Sequence, residues 1–350
     1  MASEIAEQPA VLEKTLREEA PRFDALRRKL AERRPAMVVL IARGTSDNAA
    51  GFGRYLIEIT TGIPVSLAAP SVTTLYGGGL DWSRALVVGI SQSGESTDTN
   101  ACLEAARKSG ALTVGITNEP ESALAGIVDE VFLSHAGRER SVAATKTYTG
   151  QVLTMYLLAR ALGAPLELDS MKRLPGAAQS ALALVSDVER LAERCRFMER
   201  AVVMGRGLNY ANAFEFALKM METCYVTAER FSGADFAHGP IALVERDYPV
   251  FLFAADGPTL EGSREMLDRL AGLEAETLVI GPASRREVLD RARRSIALPD
   301  PPPPDDGLPA DLYTPIPWII PAQMFAASLA LEKGLNPDRP RTLSKVTKTL

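Results

Sequence analysis

The chain alternates short apolar runs, rich in Val and Ile, with glycine-containing turns and stretches in which apolar residues recur at helical spacing. In the clearest case, the run 85–90 leads into the hydroxyl-rich loop 91–99, and helical spacing resumes from Cys102. Such runs predict buried strands. The others are 38–42, 112–117, 131–133, 202–204, 249–253, 277–280 and 296–298. Strands that alternate with helices predict an α/β fold with parallel sheets, right-handed crossovers and helices on both faces.

Two stretches of the chain resemble each other at a constant offset. Residues 38–49 resemble residues 202–211, and each stretch reads as an apolar strand, an Arg-Gly turn and a helix. The same offset carries the strand and loop at 86–96 onto 249–259. Two matched units at one shift predict a duplicated α/β domain.

The loop 91–99 has the composition of a phosphate-binding loop. A strand, a turn and a helix N-terminus place free backbone N–H groups and the positive end of the helix dipole at one point. The hydroxyls of Ser91, Ser93 and Ser96 add further donors. Ligands of parallel sheets bind beyond the carboxyl ends of the strands, where the loop 43–49 is also expected. An N-cap with additional serines is the alternative interpretation.

The second copy has diverged at the equivalent loop. Ala254, Ala255 and Asp256 stand where the first copy has Ser91, Gln92 and Ser93. Because an aspartate repels phosphate, we expect one working phosphate loop, in the first half of the chain.

Composition limits the possible partners. The 350 residues are 46% hydrophobic and 24% charged, as in a globular protein long enough for two domains. The net charge of −5 and the absence of an Arg- or Lys-rich tract argue against a nucleic-acid partner.

Cysteine usage and hydrophobicity narrow the class further. Cys102, Cys195 and Cys224 lie far apart without paired spacing, so neither a disulfide framework nor a zinc site is expected. No ligand cluster with metal spacing occurs, and we predict no metal and no cofactor. The N-terminus is acidic and polar, unlike a signal peptide. Arg160 or prolines interrupt the longest apolar stretches too early for a membrane span. We therefore expect a cytoplasmic protein that does not bind membranes.

Several motifs occur in a fixed order along the chain. They are Gly44-Thr45-Ser46, Ser91-Gln92-Ser93-Gly94-Glu95, 142–146, 214–222, Ala237-His238-Gly239-Pro240 and the tail 339–345. Together they resemble the double sugar-isomerase (SIS) domain family, and most specifically the isomerase half of glucosamine-6-phosphate synthase, over essentially the whole chain.

The resemblance implies two tandem SIS domains, each a flavodoxin-like, doubly wound parallel sheet flanked by helices. We expect an N-terminal helical segment at 1–34, a phosphate-binding domain at 35–170, a second domain at 195–335 and a tail at 336–350 that closes the active site. Residues 4–9 resemble the segment just after the synthase's glutaminase domain, only three residues precede them, and no nucleophilic cysteine lies near this start. The chain therefore resembles a stand-alone module, as in SIS-type glucosamine-6-phosphate deaminases.

The resemblance also assigns site residues. Those that contact the substrate would be Thr45, Ser46, Ser91, Gln92, Ser93, Ser96, Val142, Ala144, Glu215 and Ser344. Glu222 matches the base that moves a proton between C1 and C2. The spacing of Glu215, Lys219 and Glu222 predicts one helix face, so Lys219 would keep Glu222 ionised. A solvent-exposed, salt-bridged helix is the alternative.

Two more residues match catalytic positions of the family. His238 matches the histidine of ring opening, which in the family reaches the site of the neighbouring subunit and implies a homodimer. A structural histidine at a turn is the alternative, and we expect that role for His135. Lys345 matches the lysine that forms a Schiff base with the open ketose, whereas lysines in basic tails are usually solvated.

Two positions depart from the synthase pattern. Ala144 stands where the synthase has a serine that touches the sugar phosphate, and Met221 stands where it has a lysine. A hydrogen bond to the substrate is therefore missing or replaced, while the anchor and the base are retained.

We expect a homodimeric deaminase that converts glucosamine 6-phosphate to fructose 6-phosphate and ammonia. One alternative is the same chemistry on galactosamine or fructosamine 6-phosphate. Another is a synthase-like isomerase that lacks a glutaminase and uses free ammonia. A non-catalytic sugar-phosphate regulator is the third, but the chain has no basic helix-turn-helix segment.

Overall fold

The computed structural model describes residues 1–345, which contain ten strands in two sheets. The strands are β1 (Met37–Ile41), β2 (Val65–Leu67), β3 (Ala85–Ile90), β4 (Leu112–Thr117), β5 (Glu130–Leu133), β6 (Arg200–Met204), β7 (Thr227–Phe231), β8 (Pro249–Phe253), β9 (Glu276–Pro282) and β10 (Arg294–Leu298).

Helices connect and cover these strands. In chain order they are α1 (Ala2–Ala6), α2 (Gln8–Glu32), α3 (Thr45–Thr61), α4 (Pro70–Thr74), α5 (Thr97–Lys108), α6 (Ala123–Ile127), α7 (Lys146–Ala161), α8 (Leu168–Met171), α9 (Leu174–Leu182), α10 (Val185–Arg194), α11 (Tyr210–Lys219), α12 (Gly233–Ala237), α13 (Leu260–Gly272), α14 (Arg286–Leu289) and α15 (Pro315–Glu332). Two 3₁₀ turns and one π turn add Gly207–Asn209, Pro240–Leu243 and Met220–Cys224.

The two sheets have the same topology. The first has the order β2-β1-β3-β4-β5, the second has the order β7-β6-β8-β9-β10, and every pairing is parallel. This confirms the predicted duplication of a flavodoxin-like α/β domain. The sequence pattern missed β2 and β7, which are edge strands. β2 has only three residues, and exposed Glu229 and Arg230 interrupt the apolar pattern of β7.

The chain divides into two compact units. One, the first-sheet unit, comprises Ala10–Arg140, Ala144–Lys172 and the stretch that begins at Thr342. The other, the second-sheet unit, comprises the remaining segments Met1–Pro9, Ser141–Ala143 and Arg173–Arg341.

In the first-sheet unit, β1 and β3 bury Val39, Ile41 and Val87 against residues of α5 and α6 such as Leu103 and Leu124. Burial of such side chains contributes about 1.5–3 kcal/mol each. Helices α3 and α7 also pack on each other, and all of α7 except Arg160 is buried. The layers leave the carboxyl ends of the strands open for the loops that follow them.

In the second-sheet unit, α13 covers Val202, Met204 and Leu252 of the sheet. Elsewhere in this unit the rings of Phe216, Phe251 and Phe325 meet edge to face, which joins α11, β8 and α15. Although α15 is strongly apolar, none of the helices in the described residues is long and apolar enough to span a membrane.

Candidate active site

The loop after β3 is fixed by its neighbours in the first-sheet unit. The carbonyl oxygen of Gln92 accepts a hydrogen bond from the N–H of Asn118 at 3.0 Å. The carbonyl oxygen of Gly94 accepts from the N–H of Leu124 and from Nδ2 of Asn100, both at 3.0 Å. Because these carbonyls bond to α5, to α6 and to the residue directly after β4, the loop is held in place before any ligand binds.

Four serine hydroxyls at this edge of the sheet can each donate a hydrogen bond to a ligand. Each oxygen already accepts a hydrogen bond from the protein, which leaves its O–H hydrogen for another acceptor. The pairs are Ser46 with Gln151 Nε2 at 2.9 Å, Ser91 with Gly94 N at 3.1 Å, Ser93 with Glu95 N at 3.3 Å and Ser96 with Thr99 Oγ1 at 3.0 Å. We call Ser46, Ser91, Ser93 and Ser96 the hydroxyl cradle.

The side chain of Ser96 does not act as a helix cap, which was the alternative interpretation of this loop. Ser96 is the N-cap residue of α5, but its side chain makes no capping hydrogen bond. Within residues 1–345 the backbone N–H groups of Gln92 and Ser93 also have no hydrogen-bond partner. Hydroxyl and amide donors at a helix N-terminus are what a phosphate requires.

Gly94 cannot be replaced without disturbing this loop. Its φ is +68°, and a Cβ atom there would lie 2.1 Å from Oγ of Ser122. We expect Gly94→Ala to lower the free energy of unfolding by about 2–5 kcal/mol, from backbone strain together with overpacking. Gly110→Ala is the control, because Gly110 also has a positive φ, of +84°, but open space around it. That variant should lose only about 1–2 kcal/mol in urea unfolding. Equal losses would contradict this account of the loop.

Lys345 contacts a buried carboxylate that the sequence did not reveal. Its Nζ lies 3.0 Å from Oε2 of Glu139, whose side chain is fully buried, while that of Lys345 is 26% exposed. Glu139 follows β5 at the carboxyl edge of the first sheet, and it also accepts hydrogen bonds from the N–H groups of Thr145 and Thr147. Lys345 is therefore not a solvated tail lysine.

The charge state of Glu139 reflects competing effects. Burial alone raises the pKa of its carboxyl group. The ammonium group of Lys345 and the N–H groups of Thr145 and Thr147 outweigh burial and hold the pKa below its ordinary value. Glu139 is therefore ionised at neutral pH and binds Lys345 by a charge-assisted hydrogen bond.

The remaining predicted contact residues lie in different places. Thr45 is half-buried in the first turn of α3, and Ala144 is half-buried just before α7. Val142 belongs to the second-sheet unit, where its N–H donates to the carbonyl oxygen of Asp338 at 3.3 Å. Ser344 is exposed beside Lys345.

Glu215, Lys219 and Glu222 form a cluster in the second-sheet unit. Nζ of Lys219 lies 2.6 Å from Oε2 of Glu222 and 3.4 Å from Oε1 of Glu215. The side chains of Glu215 and Lys219 are fully buried, and that of Glu222 is 23% exposed. The exposed salt-bridged helix is thus the wrong alternative, and Glu222 is the cluster carboxylate with access to solvent.

The backbone at Glu222 is unusual. Helix α11 ends at Lys219 and continues as the π turn Met220–Cys224, which closes at Tyr225 with φ of +54°. Single π turns within helices occur frequently at functional sites. Glu215 and Glu222 meet the same ammonium group because they lie four positions before and three positions after Lys219, which places all three on one helix face.

The two histidines have different surroundings. His238 ends α12 and is exposed, and only its backbone N–H takes part in capping, by donating to the carbonyl oxygen of Asp235. Nε2 of His135 lies 2.7 Å from Oε1 of Glu19, and the side chain of His135 is 16% exposed. His135 thus has a structural contact, as expected, whereas the ring of His238 is accessible.

In the second copy, a carboxylate other than the expected one lies beside the equivalent turns. Asp256 is paired with Arg285, which neutralises the charge that we expected to repel phosphate. The carboxyl group of Asp311 lies between the two equivalent turns instead. Its oxygens are 3.6 Å from a Cβ placed on Gly257 and 3.8 Å from one placed on Gly207.

Asp311 makes stability depend on pH. Its side chain is buried, and burial raises its pKa to about 6. Between the ordinary pKa of about 3.9 and about 6, the folded protein binds a proton that the unfolded chain has lost. The contribution of Asp311 to the free energy of unfolding is therefore complete below about pH 4. It is lost as the pH rises from about 4 through about 6. Relative to wild type, Asp311→Asn should gain roughly 3 kcal/mol between about pH 4 and pH 7.

Urea unfolding across this pH range tests the Asp311 prediction. Asp290→Asn is the control, since Asp290 is exposed in the same unit. A constant difference between Asp311→Asn and wild type would contradict the prediction.

Thiol chemistry is not supported at neutral pH. The three cysteines are free, and burial raises the pKa of Cys195 and of Cys224 to about 11. Burial also raises the pKa of Cys102. These thiols are therefore protonated and poor nucleophiles.

A doubly wound α/β protein with a donor-rich loop at the carboxyl edge of its first sheet belongs to a recognisable class. The SIS domain family model matches residues 30–161 and 198–315. The chain belongs to the SIS domain family.

Its relatives include glutamine–fructose-6-phosphate aminotransferases of the isomerizing type. That of Pyrococcus horikoshii is 35% identical over 356 residues, which cover 99% of this chain and 57% of the relative. That of Gloeobacter violaceus is 33% identical over 360 residues, which cover 99% of this chain and 58% of the relative. The chain thus spans a little over half the length of these enzymes.

Solved structures agree with this similarity. The C-terminal domain of glucosamine-fructose-6-phosphate aminotransferase from Francisella tularensis has a TM-score of 0.84 at 25% identity, over 96% of this chain and 97% of that domain. A protein of Silicibacter pomeroyi DSS-3, named as a provisional phosphosugar isomerase, has a TM-score of 0.84 at 31% identity. The match covers 97% of this chain and 99% of that protein. This chain is therefore similar to the isomerase part of the aminotransferases.

Proposed function

We propose that this protein converts glucosamine 6-phosphate and water to fructose 6-phosphate and ammonia. The observation that carries the proposal is the contact of Lys345 with Glu139 at the same sheet edge as the hydroxyl cradle. A phosphate anchor and a lysine suited to a carbonyl group indicate a sugar phosphate that reacts in its open form. The relatives' name, which includes fructose 6-phosphate and isomerization, supports this substrate class.

The hydroxyl cradle would hold the phosphate end of the substrate. Four O–H donors and the N–H groups of Gln92 and Ser93 provide hydrogen bonds to three phosphate oxygens. Because these groups are already oriented by the protein, binding costs little reorganisation. Ala144 lacks the hydroxyl that the resemblance to the synthase implies at this position.

Glu222 would act on the carbons at the other end of the sugar. In the open amino aldose, the carboxylate removes the proton from C2 and returns it to C1, while one N–H proton of the amino group passes to the C1 oxygen; the product is a ketose imine with a C1 hydroxyl. Lys219 holds the carboxylate in place by an ion pair of 2.6 Å, while the exposed part of Glu222 remains available. General acid–base assistance of this kind is typically worth about 10²–10⁴-fold in rate.

Lys345 and His238 would serve the remaining steps. Nζ of Lys345 attacks the imine carbon, and ammonia leaves. Water then hydrolyses the imine of Lys345, which releases the ketose and restores the free amine of Lys345. Before this, the ring of His238, supplied by a second copy of the chain, assists the proton transfer that opens the sugar ring. The ionised Glu139 orients Lys345 and, 3.0 Å from Nζ, would accept the proton that Lys345 gives up to become the nucleophile.

A substrate panel tests the proposal. Purified protein is incubated with the 6-phosphates of glucosamine, galactosamine and fructosamine, and ammonia and ketose phosphate are measured. The reverse reaction is run with fructose 6-phosphate and ammonium. Turnover of glucosamine 6-phosphate supports the proposal, and turnover only in the reverse direction supports a synthase-like isomerase. Tight binding of sugar phosphates without turnover of any of them would establish a regulator.

A further inference from the structure

The two loops that form the hydroxyl cradle have an unfavourable charge balance. Residues 43–49 and 91–99 include three acids, Asp47, Glu95 and Asp98, and a single cation, Arg43. The cradle hydroxyls carry no charge themselves. Each unit of negative charge on a phosphate meets repulsion of about 1–4 kcal/mol from a carboxylate at 4 Å, depending on the local dielectric. Arg43 is therefore the one side chain of these two loops whose charge attracts phosphate.

Arg43 connects the two loops through Asp98. Nη2 of Arg43 lies 2.7 Å from Oδ2 of Asp98, whose side chain is 5% exposed. Arg43 directly precedes Gly44, the N-cap residue of α3, and Asp98 lies in the first turn of α5, two positions after Ser96. One end of the guanidinium group is thus fixed at the junction of the two cradle loops.

The rest of the guanidinium group is available. It has five N–H donors, and in the described part of the chain Asp98 provides its only hydrogen-bond acceptor. The side chain of Arg43 is 50% exposed. Its charge also acts on Asp47, whose pKa is raised mainly by burial and lowered in part by Arg43. Arg43 therefore interacts with Asp47 of α3 and with Asp98 of α5, and its remaining N–H groups can donate to another ligand.

We propose that Arg43 is a direct ligand of the substrate phosphate and selects dianionic sugar phosphates, with Asp98 as its positioning partner. Asp98 holds one edge of the guanidinium group, and the other edge donates to phosphate oxygens in the bidentate geometry that arginine favours. The inference rests on the proposed function for the identity of the sugar. It concerns the phosphate end alone.

Binding measurements on charge variants test this role. The dissociation constants of glucosamine 6-phosphate and inorganic phosphate are measured by calorimetry for wild type, Arg43→Gln and the control Arg54→Gln. Arg54 lies on α3, is also 50% exposed and pairs with Glu58. We expect Arg43→Gln to weaken both ligands by about 10–100-fold, the range for hydrogen bonds to charged groups. Arg54→Gln should change Kd by less than about threefold.

The double variant Arg43→Gln/Asp98→Asn distinguishes two roles of Arg43: direct binding of phosphate, and mere neutralisation of the charge of Asp98. If Arg43 only cancels the charge of Asp98, removing both charges restores wild-type affinity, and this would overturn the proposal. If Arg43 binds phosphate, the double variant remains weak and its Kd depends less on salt than that of wild type. Thermal unfolding verifies that each variant is folded.

The outcomes distinguish this inference from the proposed function. Wild-type affinity in Arg43→Gln would overturn the role of Arg43 and leave the proposed function standing. A wild-type protein that binds neither ligand would overturn both. Weak binding by Arg43→Gln together with full turnover at saturating substrate would support both.

Discussion

Glu222→Gln is expected to bind glucosamine 6-phosphate with nearly wild-type affinity and to lose about 10²–10⁴-fold in turnover. The amide has the shape of the carboxylate but cannot take the proton from C2. Lys219 keeps an ionic partner in this variant, because Glu215 lies 3.4 Å from its Nζ. The fold should therefore be retained, and the loss should appear in kcat rather than in KM.

Proton exchange gives a second measurement for Glu222. In D₂O, wild type should exchange the C2 proton of the substrate, and Glu222→Gln should not. Glu265→Gln is the control, since Glu265 is an exposed carboxylate of α13 in the same unit. Near-normal turnover or exchange in Glu222→Gln would remove Glu222 as the base.

Lys345→Arg is expected to reduce turnover by at least as large a factor as Glu222→Gln. It should also no longer form a covalent adduct with the ketose. Arginine keeps a positive charge beside Glu139, 3.0 Å from Nζ in wild type, but its guanidinium group does not form an imine. With borohydride and fructose 6-phosphate, wild type should gain the mass of one reduced adduct, located by peptide mapping at Lys345.

Two variants complete the Lys345 experiment. Lys172→Arg changes an exposed lysine that pairs with Asp169, and it should still be trapped at Lys345. Glu139→Gln removes the charge that orients Lys345, so trapping should slow without disappearing. An adduct formed equally well in Lys345→Arg would show that another amine reacts with the ketose.

The sequence predicted the sheets well because their central strands are continuous apolar runs. β3 is such a run, and its register with β4 places the loop 91–99 at the carboxyl edge of the sheet. The edge strands β2 and β7 escaped prediction, since an edge strand need not be apolar and can be very short. The two strands occupy equivalent places in the two sheets, but Val65–Leu67 and Thr227–Phe231 do not resemble each other in sequence.

Site residues could be predicted where they belong to a sequence motif. They could not be predicted where their role depends on a contact with a residue far away in the sequence. Spacing alone suggested that Lys219 meets Glu215 and Glu222, and the structure confirms that they meet. Glu139 gave no such signal, because its partner Lys345 lies 206 positions away. Asp311 was equally hidden, since its role follows from its position beside two turns that are distant in sequence.

The most direct measurement of the central claim is the stoichiometry of the products. Wild-type protein is supplied with glucosamine 6-phosphate alone, and ammonia and fructose 6-phosphate are quantified over the same time course. We predict that the two accumulate in equal amounts and that both form about 10²–10⁴-fold more slowly with Glu222→Gln. Saturable binding of the substrate without either product would contradict the account.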